Sequence, residues 1–128
     1  MSYVYLNGEF VKSDEAVVSV FDQGLLYGDG IYESFRSVGN HLYQFSKHYQ
    51  RLLQSAEALC YPMTFSQEEL EKILMALKEK NGLNDAYFRI TITRGKGQVG
   101  FQRDMGKVLT CLIIAREFEP FHAAHYAE

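Results

Sequence analysis

The sequence has no tryptophan, only two prolines and two cysteines, no surplus of positive charge and no long apolar run. Each shortage excludes something. Proline breaks helices and central strands, so its scarcity favours regular secondary structure joined by short connections. Cys60 and Cys111 are far apart and unpatterned. That excludes a disulfide-stapled scaffold and fits reduced, buried thiols in a cytoplasmic protein. No stretch reaches the roughly 18 apolar residues of a membrane span. The N-terminus, MSYVYLNGEF, also lacks the basic stretch and apolar run of a secretory leader. A soluble, intracellular protein with no membrane partner is expected. Thirteen Lys and Arg against sixteen Asp and Glu leave a net charge of −3, which speaks against nucleic acid, since phosphate backbones demand a basic surplus.

What is present is typical of a globular domain. The 128 residues are 47% hydrophobic and 23% charged, which excludes disorder and collagen-like repeats and amounts to one self-sufficient core. Tyr3 to Leu6 and Glu9 to Lys12 flank Asn7-Gly8, a strong hairpin signal because a type I′ turn needs positive φ at both positions. Ala16 to Phe21 reads as a further short strand. The glycine-dense Asp22 to Gly30 cannot be regular throughout. Ile31 to Val38 then alternates as a strand, with Tyr32, Ser34 and Arg36 on one face and Ile31, Glu33 and Phe35 on the other. Gly39-Asn40 turns the chain into His41 to Phe45.

Two helices follow. Ser46 is placed to cap the first, whose stripe is Tyr49, Leu52, Leu53, Ala56, Leu59 and Cys60, ended by Pro62. Ser66-Gln-Glu-Glu69 is a capping box for the second, with Leu70, Ile73, Leu74 and Leu77 as its stripe and Gly82 at C′. Strands over Ala86 to Arg94 and Lys107 to Arg116 complete the order. Strands, two helices, then strands predict an α+β fold, a largely antiparallel sheet with two helices packed on one face.

Most motif-like features have bland readings. Gly95 to Gly100 matches G-x-G-x-x-G, but no helix has room to follow it, so it reads as a loop between strands. Its amides, with Arg94 and Lys96, remain able to approach an anion. His122-x-x-His125 has metal-compatible spacing and no further ligands at known spacing, so no metal site is expected. His48, Arg51 and Ser55 share a helix face early in the first helix, where the macrodipole disfavours cations. That row suits a phosphate-like anion, although on the residues alone an ordinary exposed face is the simpler reading. Three glycines, Gly24, Gly28 and Gly30, just before the strand of Tyr32 and Arg36 imply tight turns or close backbone approach.

Three segments occur in a telling order: DQGLLYGDGIYESFR (Asp22 to Arg36), KHYQRLLQSA (Lys47 to Ala56) and YFRITITRGKGQVGF (Tyr87 to Phe101). Together they resemble the N-terminal domain of the class IV (fold-type IV) pyridoxal-phosphate enzymes, a family of branched-chain aminotransferases, D-amino acid aminotransferases and aminodeoxychorismate lyases. The resemblance covers Tyr3 to Phe118. It implies the small α+β domain of that fold, pyridoxal 5'-phosphate as cofactor, an amino acid and a 2-oxo acid as substrates, and a homodimer. By it, Arg51 matches the arginine on the cofactor phosphate, and Tyr32, Arg36 and Arg89 match substrate-side positions. Arg94, Gly95, Lys96 and Gly97 match a loop that reaches toward the neighbouring subunit. Val99 stands where D-amino acid aminotransferases carry a carboxylate-binding arginine. Arg89 leans toward the branched-chain type, while the loop also looks like that of the lyases.

The resemblance also implies a lysine in Schiff-base linkage to the cofactor. None of Lys12, Lys47, Lys72, Lys78, Lys80, Lys96 and Lys107 matches its motif, and in the family it lies in a second domain, here expected beyond Glu128. The expected organisation is an N-terminal domain over residues 1–118 and the start of an interdomain connection over 119–128. The 128 residues alone are then expected to be inactive. A lyase of the same fold and a stand-alone, non-catalytic binding module are the alternatives.

Overall fold

The computed structural model describes residues 2–63, 65–96 and 108–118. Six strands and three helices appear in the order β1 (Tyr3–Leu6), β2 (Glu9–Lys12), α1 (Gln23–Tyr27), β3 (Gly30–Val38), β4 (His41–Leu42), α2 (Phe45–Ala58), α3 (Gln67–Lys80), β5 (Ala86–Thr93) and β6 (Thr110–Glu117). The strands form one antiparallel sheet in the order β2-β1-β6-β5-β3-β4. The first hairpin turns at Asn7 (φ 51) and Gly8 (φ 93), as the Asn-Gly signal requires.

One face of the sheet is covered and the other is open. Phe35 of β3, Phe88 and Ile90 of β5 and Ile113 of β6 are each 2% exposed or less. They pack with Phe45, Tyr49, Leu52 and Ala56 of α2 and Leu70, Leu74 and Leu77 of α3 in one core. Each fully buried side chain of this kind contributes about 2 kcal/mol of apolar burial. On α3, Ser66 Oγ accepts from the Glu69 amide while Glu69 Oε1 accepts from the Ser66 amide, and Gly82 (φ 63) follows the Asn81 C-cap. These are the expected capping box and C′ glycine, and the α+β layering is as expected.

Three local expectations fail, each for a physical reason. Ala16 to Phe21 forms no strand, and Val17 is 80% exposed; β-branched residues there mark surface rather than a paired strand. Ser46 does not cap α2, which starts at Phe45 after Gln44 in the left-handed region; Ser46 Oγ instead meets the Gln67 side chain. Leu59 and Cys60 are exposed because α2 stops at Ala58 and Cys60 turns to positive φ, so the stripe ends one turn early. The Asp22–Gly30 stretch, as expected, is not regular throughout: it holds the short helix α1, capped by Asp22, whose side chain accepts from the Gly24 amide, and then turns at Gly28. Among the described residues no helix is long and apolar enough to cross a membrane, and no group of three or more His, Cys, Asp or Glu is placed to hold a metal. His122 and His125 lie outside the described residues, as does the expected 119–128 connection.

Candidate functional site

The open face owes its chemistry to strand alternation. Residues Tyr32, Ser34 and Arg36 of β3 and Tyr87, Arg89, Thr91 and Thr93 of β5 point away from α2 and α3 because their neighbours point toward them. The register places Ser34 opposite Arg89 and Arg36 opposite Tyr87, with Arg116 of β6 next to Tyr87 in the same row. The Arg89 guanidinium lies 4.3 Å from the centroid of Tyr32, which is 63% exposed. Arg36 is stacked between Tyr43 and Phe118, at 5.1 and 4.5 Å, and its Nε is buried with no partner. Arg116 sits 4.8 Å over the Tyr87 ring, and the Tyr87 and Ser34 hydroxyls are 2.8 Å apart. Among the described residues, none of these three arginines has a carboxylate partner. Aromatic faces orient the cations without neutralising them, which leaves charge available for an anionic ligand.

At the Gly30 end of this face lies an apolar cavity of about 410 Å³, lined by Leu25, Tyr32, Thr91 and Leu112 among others. Glycine matters at its wall. A Cβ on Gly24 would collide with the Thr93 side chain, so α1 lies against β5 only because Gly24 has none.

Arg51 belongs to the other layer. Its Nε and Nη2 donate to the two carboxylate oxygens of Glu33 at 3.0 and 2.7 Å, and His48 Nδ1 is 2.7 Å from Glu33 Oε2. The Glu33 side chain is 7% exposed, that of Arg51 66%. Burial pushes the Glu33 carboxyl up, but the hydrogen bonds and charges of Arg51 and His48 outweigh it and hold the group below its ordinary value. The carboxylate takes the side edge of the guanidinium, and Nη1 is unengaged among the described residues. An exposed guanidinium edge of this kind fits a phosphate. Ser55 takes no part in this cluster. β4 pairs β3 only at Ser37 and Val38. The outer edge of β3 from Gly30 to Phe35 therefore carries no strand among the described residues, and it runs between Arg51 and the open face.

The structure thus gathers Tyr32, Arg36 and Arg89 on one face and sets Arg51 on the helical side. Of the predicted loop, Arg94, Gly95 and Lys96 are described and Gly97, like Val99, is not. Arg94 is folded inward. Its Nε donates to Asp29 at 2.6 Å and its Nη2 to the Leu59 carbonyl, while Tyr61 donates to the other oxygen of Asp29. Burial and the Asp29 bond raise the Tyr61 phenol well above its ordinary value. Asp22, 2% exposed, accepts from Thr93 Oγ1 as well as from Gly24. Sequence reasoning gave no role to Glu33, Ser34, Tyr87, Asp29 or Tyr61. A signal existed for two of these: Glu33 is a charge on the apolar face of its strand, and Tyr87 shares the face of Arg89 by the period of two. Asp29 and Tyr61 act through partners 65 and 32 residues away, which no local pattern shows.

Known proteins share this sequence pattern and this fold. The family model of amino-transferase class IV matches residues 30–127. A putative branched-chain-amino-acid aminotransferase of Methanocaldococcus jannaschii is 41% identical over 113 residues, 87% of this chain and 39% of that protein. A D-alanine aminotransferase of Staphylococcus epidermidis is 41% identical over 96 residues, 74% of this chain and 34% of that protein. The crystal structure of the Escherichia coli branched-chain amino acid aminotransferase matches with a TM-score of 0.85 and 29% identity, over 97% of this chain and 42% of that one. The chain spans well under half the length of each of these relatives. The family model covers most of the chain, and the fold is that of the family's N-terminal domain, so this chain belongs to the class IV aminotransferases.

Proposed function

We propose that this chain forms the substrate-facing N-terminal domain of a pyridoxal 5'-phosphate-dependent aminotransferase. In this reading an amino group moves between an aliphatic, branched-chain-type amino acid and a 2-oxo acid. The observation that carries the reading is the open face. The Arg89 guanidinium, without a carboxylate partner among the described residues, lies on Tyr32, which lines an apolar cavity of about 410 Å³, and Arg36, between Tyr43 and Phe118, stands further along the same face. A carboxylate next to an apolar pocket is the outline of an aliphatic amino acid. A short D-alanine side chain would leave most of such a pocket empty, so the observation favours the branched-chain relatives over the D-alanine ones.

Pyridoxal 5'-phosphate, the cofactor of this family in general, supplies the carbonyl that takes up the amino group and the electron sink that eases its transfer. Arg51 would hold its phosphate through the guanidinium edge that Glu33 leaves open. Arg89 and Arg36 would bind and orient the substrate carboxylate, with the exposed Tyr32 ring beside Arg89 as part of the site wall. Proton transfer at the substrate carbon needs a lysine that these residues do not supply. None lines the cavity, and Lys107 is outside the described residues. The 128 residues alone are therefore without turnover. The working enzyme is a cytoplasmic homodimer whose 94–97 loop approaches the neighbouring subunit.

The test is an amino-donor panel on the protein as its native gene encodes it, with 2-oxoglutarate as acceptor. L-leucine, L-isoleucine and L-valine should turn over at least tenfold faster than D-alanine at equal concentration. A preference for D-alanine, or pyruvate release from aminodeoxychorismate as the only activity, would overturn the reading.

A further inference from the structure

The apolar cavity has one side that is rigid by construction and one that must be held in place. β3, β5 and β6 supply Tyr32, Thr91 and Leu112 from paired strands. The opposite side is the segment from Asp22 to Gly30, which brings Leu25, Gly28 and Gly30 to the cavity. Its regular part, α1, has five residues. Isolated helices shorter than about 12–15 residues are marginal in water, so α1 sits where its ties put it.

Those ties lie at its two ends. At the entry, Thr93 Oγ1 donates to the Asp22 carboxylate at 2.9 Å, and the Gln23 amide donates to the Gly95 carbonyl at 2.8 Å. At the exit the chain turns at Gly28 (φ 68), and Asp29 takes three donors. The Arg94 amide donates to its carbonyl at 3.1 Å, Arg94 Nε to one carboxylate oxygen at 2.6 Å, and the Tyr61 hydroxyl to the other. Tyr61 is 4% exposed and belongs to the core. The Arg94 guanidinium lies 4.9 Å from the centroid of its ring and donates onward to the Leu59 carbonyl at the end of α2. Gly28 and Gly30, which line the cavity, have no side chains by which to be held. Asp29 between them does, yet none of Asp29, Arg94 and Tyr61 is among the described residues that line the cavity.

We propose that Arg94 and Tyr61 are positioning residues that act through Asp29: they fix the exit of α1 and so set how strongly the cavity prefers a long aliphatic side chain. This role rests on the reading of the cavity as the seat of the substrate's side chain. A charge-assisted bond is stronger than a neutral one, and the planar guanidinium serves Asp29 and the Leu59 carbonyl from one fixed fork. With the exit fixed, the wall keeps its distance from Tyr32 and Thr91, and each added methylene finds contacts. With the exit loose, that gain shrinks, while a short side chain that hardly reaches the wall loses little.

The experiment measures kcat/KM for L-leucine and for L-alanine, with 2-oxoglutarate as acceptor, on the native gene product and its variants. The ratio of the two cancels the amount of folded enzyme and the chemistry that both donors share. The parent should favour leucine at least tenfold, the scale of a few methylenes in an apolar pocket. Arg94→Gln should lower that ratio about fivefold, and Arg94→Lys, which keeps a charged donor for Asp29, should bring it back to within about twofold of the parent. Tyr61→Phe keeps the ring, removes only the hydroxyl and should lower the ratio about threefold; it carries the test if Arg94→Gln does not fold. In an Asp29→Ala background Arg94→Gln should lower the ratio less than about twofold further, the mark of residues acting as one unit. A ratio unchanged in Arg94→Gln and Tyr61→Phe, or a full further loss in the Asp29→Ala background, would overturn the positioning role and leave the cavity reading intact. A parent that treats leucine and alanine alike would overturn the cavity reading itself, and this role with it.

Discussion

The two faces of one sheet treat charge in opposite ways. On the helix-covered face the charged strand residue that is buried, Glu33, is held by two partners. On the open face three arginines lie on aromatic rings and none meets a carboxylate among the described residues. A buried charge without partners costs several kcal/mol, so the covered face settles its charge internally. Charge on the open face is oriented and left unneutralised, which a binding surface can use. The contrast also separates roles: residues one position apart on β5, Phe88 and Arg89, differ completely in burial and should differ in what their loss does.

The largest expected effect breaks that pair apart. Phe88→Ala, in the centre of the core, should cost about 3–5 kcal/mol. Arg89→Ala should cost no more than about 1 kcal/mol, the scale of an exposed cation–π contact. Urea titrations of the two variants measure this, and equal losses would erase the distinction between the faces.

Next in size is Glu33. Removing it as Glu33→Ala should cost on the order of 2 kcal/mol, the scale of hydrogen bonds to a charged group. The pH dependence gives the sign. Glu33 sits below its ordinary value of 4.5 in the folded protein. Its contribution is therefore fully present above about pH 4.5 and is lost as pH falls through the lowered value. The stability gap between the parent and Glu33→Ala should be constant near neutrality and close in acid. A gap that widens in acid would contradict the ion-paired assignment.

Smaller again is Ser66→Ala, which removes one half of the α3 capping box and should cost about 1 kcal/mol without touching ligand binding. It marks how much a purely local signal on the helical layer is worth.

That local signal was also the easiest to read in advance. Ser66 to Glu69, Asn7-Gly8 and the alternation of Tyr32 to Arg36 are patterns of neighbours, and each appears in the structure as its spacing requires. The expectations that failed were those resting on composition without a partner. Val17, Val18 and Val20 look like a strand, yet pair with nothing. Cys60 looks like the end of a stripe, yet the helix has already stopped. Arg51 stood out in its helix row, but its restraint by Glu33 did not, because that contact joins two layers. Tyr87 was within reach of the period-of-two argument. Its bond to Ser34 depends on the β3–β5 register, which the sequence leaves open until the strands are paired.

The most direct test of the account compares the native gene product with its Arg89→Met variant in amino transfer from L-leucine to 2-oxoglutarate, with thermal melting measured in parallel. The account predicts that kcat/KM falls roughly 100-fold, as expected for loss of a charge-assisted contact with the carboxylate, while the melting temperature moves by no more than a few degrees. Undiminished turnover, or a loss explained by melting, would contradict the claim that the open face of this sheet reads the substrate.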